Sequence, residues 1–327
     1  MGLLTTVEVC RELGIPRSTL YYLQRSGAVP LPQKRGGRRL WDEEHLGALR
    51  AALAQRRKER PPEPLPCKTV QIQNRRYLGS KYKLLPFIKR VVRQECEGVH
   101  TVADIFAGTG VVASAFPRQM VTLNDNMAHN CICATAWFSG EAYDRDKLIR
   151  LICHYNAAEV VEENYMSRNF GDTYYSRAVC RKIGYIREDI ERRYRAGELG
   201  VRERALLITS LLYAMDKIAN TCGHYDAYRK GGDLSRPFEL CLPEPPEREN
   251  PRSRVFCEDA NELVRHIEAD LVYIDPPYNS RQYCDAYHLL ENVARWECPP
   301  VHGAHDTAIF VQSWGSFYRF SRKYALG

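Results

Sequence analysis

Leu271-Val272-Tyr273-Ile274-Asp275-Pro276-Pro277-Tyr278 is a run of apolar and β-branched residues that closes on an acid, two prolines and an aromatic ring. Such a run predicts a buried strand of a parallel sheet that ends in a rigid loop. Proline fixes its own backbone torsion and has no N–H donor, so the loop should turn carbonyl acceptors outward beside the Asp275 carboxylate. The stretch therefore predicts an α/β fold with a polar loop after one strand.

This loop suits a flat amine. The exocyclic amino group of a nucleobase is a poor nucleophile because its lone pair is delocalised into the ring. Two acceptors that hold its hydrogens would localise that lone pair, and Tyr278 offers a face for stacking. We therefore expect Asp275, Pro276, Pro277 and Tyr278 to be the catalytic residues of a nucleic-acid amine methyltransferase. The alternative is a proline-terminated strand whose Asp is incidental.

A nucleoside-binding unit is predicted earlier in the chain. Residues 101–106 form an apolar strand, and Ala107-Gly108-Thr109-Gly110-Val111-Val112-Ala113 is a glycine-rich turn that should lead into a helix. A second strand, residues 121–124, ends in Asp125, which is placed to accept a hydrogen bond from a ribose hydroxyl. The glycine spacing also fits a dinucleotide fingerprint, so NAD is an alternative ligand on this pattern alone. The loop at Asp275 decides against NAD, since hydride transfer has no use for it.

A lysine segment precedes the glycine turn. In Arg76-Tyr77-Leu78-Gly79-Ser80-Lys81-Tyr82 an aromatic residue and a lysine stand four positions apart. Lys81 has the charge to bind a carboxylate, and Tyr77 has a ring that can stack on or beside it. The segment gains its meaning from the two motifs that follow.

Taken together, these motifs resemble the Dam-like group of DNA adenine N6-methyltransferases. The order matches as well: lysine motif, glycine motif, target-recognition insert, catalytic loop. The tracts 275–283 and 285–292 are especially similar to restriction-modification members, and the resemblance covers about residues 72–300. It implies a Rossmann-like S-adenosylmethionine methyltransferase sheet with a helical target-recognition insert.

The resemblance also implies a cofactor site for S-adenosylmethionine. Tyr77 and Lys81 would hold its methionine end, Asp125 would take the ribose hydroxyls, and Asp259, after a short strand, would contact the adenine. The implied cofactor-binding residues are Tyr77, Lys81, Asp104, Phe106, Gly108, Gly110, Asp125 and Asp259. Neither a metal nor a covalent intermediate is needed for this chemistry.

Residues 141–250 are predicted to form the helical insert. Ile183, Ile186 and Ile190 line one face of a helix, and a second helix carries Leu207, Leu211, Leu212 and Met215 in the same way. The loop 220–232 is aromatic and basic without an apolar period. By resemblance to the family, Asn220, Gly223 and Tyr225 in this loop are expected to contact DNA. A helical packing domain without a role in DNA binding is the alternative.

The N-terminal residues 1–60 hold most of the excess positive charge. Their formal balance is +6, against +7 for the whole chain, and localised positive charge is typical of a nucleic-acid contact or of a solvated surface. Thr5 and Thr6 are candidate N-caps of a helix that stops at Gly14. Pro16 then suits the first turn of a second helix, 17–26, with Leu20 and Leu23 facing inward. These features predict a helix-turn-helix.

A wing is predicted after the second helix. Lys34-Arg35-Gly36-Gly37-Arg38-Arg39-Leu40-Trp41 is a basic, glycine-tipped hairpin, and Asp42 should cap a helix over about 43–58. The segment resembles the winged DNA-binding domain of MerR-like regulators and phage excisionases, and a small helical bundle with a basic surface is the alternative. By that resemblance the expected DNA-binding residues are Arg17, Ser18, Thr19, Tyr22, Arg35, Arg38 and Arg39.

Composition sets the remaining expectations. No apolar run is long enough to span a membrane and no secretory signal precedes the fold, so we expect a cytoplasmic protein without a membrane partner. The cysteines are scattered and are expected to be free thiols. The predicted domains are residues 1–60, a Pro-rich linker 61–73, a cofactor half 74–140, the insert 141–250 and a catalytic half 251–327.

The predicted function is site-specific methylation of adenine N6 in double-stranded DNA within a restriction-modification system, with a cognate endonuclease as a partner. Family members continue with further strands after the catalytic loop, whereas 49 residues follow Tyr278 here. The sheet is therefore expected to be incomplete, or to be completed by a second chain. Two alternatives stay open: N4-cytosine methylation, and a non-catalytic DNA-binding regulator with a defective methyltransferase half.

Overall fold

The structure is a computed structural model that describes most of the chain. The described residues are 3–13, 15, 20, 23–24, 27–32, 34–35, 38–59, 67–75, 77–225, 227–277 and 283–301. The chain divides into two compact units, Met1–Leu65 and Pro66–Gly327. That division falls within the predicted linker, and the finer domain boundaries stay predictions.

The N-terminal unit combines helices with a small antiparallel sheet. Its elements are β1 (Leu4–Thr5), the helix Thr6–Glu12, β2 (Lys34–Arg35), β3 (Arg38–Trp41) and the helix Glu43–Glu59. Strand β3 pairs with β1 on one side and with β2 on the other, so β2 and β3 form the predicted hairpin.

Local chemistry sets the helix ends in this unit. Thr5 caps the first helix in a reciprocal capping box with Glu8, as predicted. The Asp42 carboxylate accepts the backbone N–H of His45 at 3.0 Å, which confirms the predicted cap of the last helix. Leu20 and Leu23 are buried as predicted, while most of the predicted second helix, 17–26, lies outside the described residues.

A parallel sheet forms the centre of the second unit. Its strands are β5 (Thr101–Asp104), β6 (Met120–Asn124), β8 (Ser253–Phe256) and β9 (Leu271–Tyr273), in the order β8-β6-β5-β9. All three strand pairs are parallel. Two short strands, β4 (Thr69–Val70) and β7 (Leu242–Pro243), form a separate parallel pair. This mixed α/β architecture with a parallel central sheet agrees with the predicted methyltransferase fold.

Helices surround this sheet and fill the region between β6 and β7. In the described residues the α-helices are Leu85–Glu95, Ala128–Phe138, Arg145–Ala157, Tyr165–Phe170, Arg177–Arg195, Val201–Ile218, Ala260–Leu263 and Tyr283–Arg295, and the 3-10 helices are Ile72–Asn74, Tyr82–Leu84 and Ala113–Ala115. The apolar faces predicted for the insert are buried, with Ile183, Ile186, Ile190, Leu207, Leu211, Leu212 and Met215 all fully enclosed. One core joins these helices to the sheet.

Two predictions about local structure are wrong. The glycine turn does not lead into an α-helix, because only the 3-10 helix Ala113–Ala115 separates it from Pro117. A residue before proline is disfavoured in the α region, and Phe116 leaves the helical region with φ −119° and ψ 65°. The helix that was predicted to follow this turn is therefore limited to one 3-10 turn.

The predicted burial of the strand at 271–274 is also wrong. Among the described residues β9 pairs with β5 alone, and Val272 and Ile274 are 42% and 63% exposed. An apolar run indicates a strand, but burial on both faces depends on neighbours that the run itself does not encode. Throughout the described ranges, no helix combines the length and the apolar character that a membrane crossing requires.

Candidate active site

The carboxyl ends of β5 and β9 lie side by side where the order of the sheet reverses. From β5 the chain continues to β6 and β8 on one side, whereas β9 lies on the other side. Just beyond the two strands, the N–H of Ile105 donates to the carbonyl of Tyr273 at 3.4 Å. Open α/β sheets bind ligands in the crevice outside such a reversal. Asp104 and Asp275 stand at this crevice.

Asp275 follows β9 and forms an ion pair with the Lys81 ammonium group. Through this ion pair the lysine segment lies against the loop that follows β9. Lys81 Nζ also donates to the carbonyl of Gly79, within its own segment, at 2.8 Å. The structure thus brings the predicted catalytic acid into contact with the predicted cofactor lysine. Pro276 and Pro277 are exposed beside Asp275. Tyr278 lies outside the described residues, and its stacking role stays a prediction.

Asp104 ends β5 and is 2% exposed. Neither of its carboxylate oxygens has a hydrogen-bond partner among the described residues. Burial raises the pKa of Asp104 to about 7, with the nearby carboxylates of Asp125 and Asp275 adding to the rise and the Phe106 amide and Lys81 opposing it. A buried carboxylate without a partner is costly, and such perturbed groups concentrate at functional sites.

The glycine turn is held by Asp125. Gly108 and Gly110 both have positive φ, +52° and +76°, and the N–H of Gly110 closes the turn on the carbonyl of Ala107 at 2.8 Å. The Asp125 carboxylate accepts the N–H of Gly108 at 2.8 Å and the N–H of Met127 at 2.8 Å. Because a carboxylate has about four acceptor positions, both oxygens can accept further hydrogen bonds. Burial raises the pKa of Asp125.

Tyr77 packs beside the glycine turn. A Cβ atom at Gly108 would lie 3.2 Å from the Tyr77 ring, which is tighter than ordinary contact. The Tyr77 hydroxyl accepts from Asn130 Nδ2 at 2.9 Å, and its ring stacks on Tyr287 with centroids 4.6 Å apart. Tyr77 is therefore held beside the glycine turn, and its contact with the cofactor stays a prediction.

Asp259 follows β8, the outermost strand of the sheet on the β6 side, and so lies at the same carboxyl edge of the sheet as Asp104. Its carboxylate caps the short helix Ala260–Leu263 by accepting the N–H of Asn261 at 2.7 Å. The Asn124 side chain holds the preceding loop through two hydrogen bonds to the Glu258 backbone, each 3.1 Å. The structure thus gives Asp259 a capping role, and its contact with a cofactor stays a prediction, as does that of the half-buried Phe106.

Residues 77–315 match the family model described as D12 class N6 adenine-specific DNA methyltransferase. This match covers more than half of the chain. The chain belongs to this family. The match extends past residue 300, where the predicted resemblance ended.

The names of three similar proteins are consistent with this family. The chain is 38% identical to Modification methylase StsI of Streptococcus sanguinis over 244 residues, which is 70% of this chain and 37% of the relative. It is 32% identical to Modification methylase LlaI of Lactococcus lactis subsp. lactis, over 70% of this chain and 39% of the relative. It is 30% identical to Type II methyltransferase M.NlaIII of Neisseria lactamica, over 68% of this chain and 69% of the relative. The matched region thus spans well under half the length of the first two relatives.

The N-terminal unit has a match of its own. Residues 4–60 match the family model described as MerR HTH family regulatory protein. Of the predicted DNA contacts, Arg17, Ser18, Thr19 and Tyr22 lie outside the described residues. Arg35 and Arg38 belong to β2 and β3, and their side chains also lie outside the described part of the structure. The Arg39 guanidinium donates to Gln24 Oε1 at 3.2 Å.

The predicted DNA-binding loop of the methyltransferase unit is anchored by its buried residues. Tyr225 is 2% exposed, and its hydroxyl donates to Asp216 Oδ1 at 2.9 Å. Asn220 Nδ2 donates to the carbonyl of Arg229 at 2.8 Å, which ties the two ends of the loop together. Gly223 has a φ of +108° and open space around it. In the described conformation Asn220 and Tyr225 shape the loop, and direct DNA contact by any of the three stays a prediction.

Sequence reasoning missed the groups that support the pocket. Glu291, on the helix Tyr283–Arg295, accepts the backbone N–H groups of Ala128 and His129 at 2.9 and 3.1 Å. It also accepts His129 Nδ1 at 2.8 Å and Arg295 Nε at 2.8 Å. Tyr287, one helical turn earlier, accepts the N–H of Leu78 at 2.8 Å. Tyr287 lies at a kink in this helix, with φ −130° and ψ 17°, so a helical period in the sequence did not relate it to Glu291.

Proposed function

We propose that the chain transfers a methyl group from S-adenosylmethionine to N6 of an adenine in duplex DNA, as the modification activity of a restriction-modification system. The observation that carries the proposal is the meeting of Asp275, Lys81 and the unpartnered Asp104 at the switch point of a sheet that belongs to the adenine methyltransferase family. The names of the relatives, which are modification methylases and type II methyltransferases, support the restriction-modification context.

The residues of the crevice fit this cofactor. The unpaired, buried Asp104 carboxylate suits a cationic ligand. Gly108 has no Cβ, which lets its backbone and the Tyr77 ring lie close together. Tyr77 and Lys81 would hold the methionine end, Asp104, Phe106, Gly108 and Gly110 would line the pocket, Asp125 would take the ribose, and Asp259 would take the adenine. When bound, S-adenosylmethionine supplies an electrophilic methyl group on a sulfonium sulfur.

Asp275 and Pro276 are proposed to activate the target amine. The adenine must first leave the duplex, which costs a few kcal/mol, and stacking on Tyr278 offsets part of that cost. The Asp275 carboxylate and the Pro276 carbonyl then accept the two N6 hydrogens and localise the nitrogen lone pair. As N6 gains its new bond to carbon it releases one proton, for which the Asp275 carboxylate is the acceptor. Most of the rate enhancement comes from positioning.

Lys81 has to change partner in this scheme. In the structure its ammonium pairs with Asp275, whereas the proposed function needs Lys81 on the cofactor carboxylate and Asp275 on the amine. A lysine on a flexible four-carbon stem can make that change without backbone movement. The ion pair therefore gives each group a partner until its ligand binds.

DNA contacts are proposed for the insert loop and for the N-terminal unit. The basic, glycine-rich stretch around Gly223, Arg229 and Lys230 projects from the buried anchors Asn220 and Tyr225 and suits a phosphate backbone. The match of residues 4–60 to MerR regulators supports a second DNA contact. We expect Arg17→Ala to weaken binding to a mixed-sequence duplex and to reduce its salt dependence.

The test is methyl transfer with base identification. The full chain is incubated with methyl-labelled S-adenosylmethionine and genomic duplex DNA, and the digested nucleosides are separated. We expect label on N6-methyladenine for the wild type and at least about a hundredfold loss for Asp275→Ala. Asp270→Asn is the matched control because it changes an acid at the opposite end of the same strand, where it binds Thr101. Label on N4-methylcytosine would favour the cytosine alternative, and the absence of Asp275-dependent label would favour a non-catalytic regulator.

A further inference from the structure

Arg75 is a fully buried arginine that lies two residues before the start of the region that matches the methyltransferase family. Its Nε donates to Asp216 Oδ2 at 3.2 Å and its Nη1 donates to Asn130 Oδ1 at 3.0 Å. Its guanidinium also lies over the Tyr77 ring, 5.3 Å from the centroid. One side chain therefore touches the pocket and the insert at the same time.

On the pocket side, Arg75 sets the direction of the Asn130 amide. An amide has one acceptor and one donor end. Because Asn130 Oδ1 is held by the guanidinium, its Nδ2 must face the other way, where it donates to the Tyr77 hydroxyl at 2.9 Å. Tyr77 in turn fills the space against Gly108. Arg75 thus fixes the position of Tyr77 from two sides, through the amide and through the face of the ring.

On the insert side, Asp216 connects Arg75 to the predicted DNA-binding loop. Asp216 belongs to the helix Val201–Ile218, and its second oxygen accepts the Tyr225 hydroxyl at 2.9 Å. The Tyr225 N–H donates to the carbonyl of Ala286, beside Tyr287, at 2.7 Å. The Tyr174 hydroxyl donates to the Tyr225 carbonyl at 2.7 Å. The base of the loop is therefore built on Asp216.

The buried position makes this connection stiff. Both side chains of the ion pair are enclosed, with exposures of 0% for Arg75 and 7% for Asp216. A buried charge whose partner moves away loses its compensation, so the two groups have to move together. Burial raises the pKa of Asp216, and the Arg75 charge and the Tyr225 hydroxyl oppose that rise. A change at one end of the pair is therefore felt at the other end.

We propose that Arg75 and Asp216 are positioning residues that couple the cofactor pocket to the DNA-binding loop of the insert. The inference rests on the proposed function for the identity of the two ligands. Contact of the cofactor with Tyr77 stabilises the arrangement of Arg75 and Asp216 that also holds Tyr225 at the base of the loop. Cofactor and DNA each bind more tightly when the other is present, and by linkage the two enhancement factors are equal.

The experiment measures two affinities of the full chain, each with and without the other ligand. The probes are S-adenosylmethionine in equilibrium dialysis and a fluorescent mixed-sequence duplex in anisotropy, and the thermal midpoint of the free protein is recorded for every variant. In the wild type we expect each ligand to improve the affinity for the other by about fivefold or more. Arg75→Lys keeps the charge but cannot hold Asp216 and Asn130 together. In the absence of DNA, Arg75→Lys should weaken cofactor binding by about tenfold. It should also abolish the improvement in affinity that each ligand gives the other.

Two matched controls separate coupling from loss of stability. Arg187→Lys changes another fully buried arginine, whose partners are Glu191 and the carbonyls of Val293 and Ala294. It should lower the thermal midpoint as Arg75→Lys does, but leave the cofactor affinity within about twofold. Tyr225→Phe removes the hydroxyl that binds Asp216 and the Tyr175 hydroxyl. It should leave the cofactor affinity of the free protein unchanged and reduce the enhancement, whereas Tyr155→Phe, which removes a buried hydroxyl on Asp189, should change neither.

The outcomes are distinct. Equal cofactor affinities for the wild type, Arg75→Lys and Arg187→Lys would overturn the positioning role of Arg75. An unchanged enhancement in Tyr225→Phe would overturn the coupling through Asp216. If Arg75→Lys does not fold, Asp216→Asn, which keeps the shape of the side chain, carries the same expectation. Failure of the wild type to bind S-adenosylmethionine at all would contradict the proposed function instead.

Discussion

Asp104 and Glu291 are both buried carboxylates of the methyltransferase unit, and they differ in every other respect. Asp104 has no hydrogen-bond partner among the described residues, and its pKa is raised to about 7. Glu291 is 0% exposed and its pKa is lowered to about 2, because its bonds to His129 and the charge of Arg295 outweigh the effect of burial. Burial alone therefore does not decide the ionisation of an acid. The ionisation also depends on the number of hydrogen-bond donors around the acid.

The two acids also do different work. Glu291 caps the helix Ala128–Phe138, for which Met127 provides no side-chain cap, and its negative charge suits the positive end of that helix. It ties the helix Tyr283–Arg295 to the helix Ala128–Phe138. Neither oxygen of Asp104 has a hydrogen-bond partner among the described residues, and the residue stands at the end of β5. Glu291 therefore has a structural role, and Asp104 is the acid that we propose for ligand binding.

The largest expected effect is loss of stability on changing Glu291. Glu291→Gln replaces a carboxylate that accepts four hydrogen bonds with an amide that has one acceptor oxygen. The NH2 group of the amide would face some of these donors, and those donors would lose their acceptor. We expect the free energy of unfolding to fall by about 3–5 kcal/mol, measured by urea denaturation. Glu268→Gln, on an exposed acid, is the control and should change stability by less than about 0.5 kcal/mol. A loss of less than about 1 kcal/mol for Glu291→Gln would contradict the structural role of Glu291.

The second effect is a dependence of stability on pH that comes from Asp104. Its pKa is about 7 in the folded protein and 3.8 in the unfolded chain. Between these values the folded state holds a proton that the unfolded state has lost, so stability falls as pH rises. The full shift corresponds to up to about 4 kcal/mol. We expect Asp104→Asn to be more stable than the wild type at pH 8 and to show less decline between pH 5 and pH 8. Parallel pH profiles for the two proteins would contradict the raised pKa.

Glu291 should act in the opposite direction and at lower pH. Its pKa is about 2 when folded against 4.5 unfolded. The stability that it contributes is therefore present above about pH 4.5 and is lost as pH falls toward 2, and it amounts to about 3 kcal/mol. Denaturation of Glu291→Gln and the wild type between pH 3 and pH 6 measures it. The gap between the two proteins should narrow on acidification.

A smaller effect is expected for Tyr287, which supports the lysine segment. Tyr287→Phe keeps the stack on Tyr77 but leaves the N–H of Leu78 without its acceptor, at a cost of about 1–2 kcal/mol. Tyr185→Phe is the control, since its hydroxyl meets His154 near the surface at 3.1 Å. Urea denaturation measures both variants. A weaker affinity for S-adenosylmethionine in Tyr287→Phe alone would extend the supporting role to the pocket.

The smallest expected effect is in the N-terminal unit. There the Thr5 hydroxyl caps the helix Thr6–Glu12, as the Glu291 carboxylate caps the helix Ala128–Phe138. Thr5 is a half-buried cap paired with Glu8. Thr5→Ala should cost about 1 kcal/mol, seen as faster hydrogen exchange of the Glu8 amide. Thr5→Ser should retain the protection. Equal protection in the Ala and Ser variants would show that the cap contributes nothing.

The sequence allowed the local parts of the site to be predicted. Strands β5 and β6, the turn at Gly108 and Gly110, the acid Asp125 and the caps at Thr5 and Asp42 depend on residues near one another in the chain. The family resemblance assigned Lys81 to the cofactor and Asp275 to the target amine, but it did not predict the ion pair between them. Predictions that looked beyond adjacent residues were less successful. The α-helix after the glycine turn is missing because Pro117 intervenes, and the burial of β9 depends on a neighbour that its own residues do not specify.

The supporting groups could not be predicted because they act across long separations. Arg75 contacts Asp216, which is 141 residues away in the chain, and Glu291 contacts His129, which is 162 residues away. No local period relates such pairs. The placement of Tyr225 illustrates the same limit, because the family resemblance suggested contact with DNA, whereas its hydroxyl binds Asp216 inside the core.

The most direct test of the contrast between the two acids is a carbon-13 NMR titration of the carboxyl groups in the full chain, with Asp104→Asn and Glu291→Gln used for assignment. We predict that Asp104 titrates near pH 7 in the free protein, that its pKa falls when the cationic S-adenosylmethionine is added, and that Glu291 stays ionised to about pH 2 in both states. Titration of both groups near pH 4, or an Asp104 pKa that does not respond to the cofactor, would contradict the assignment of Asp104 to the binding site.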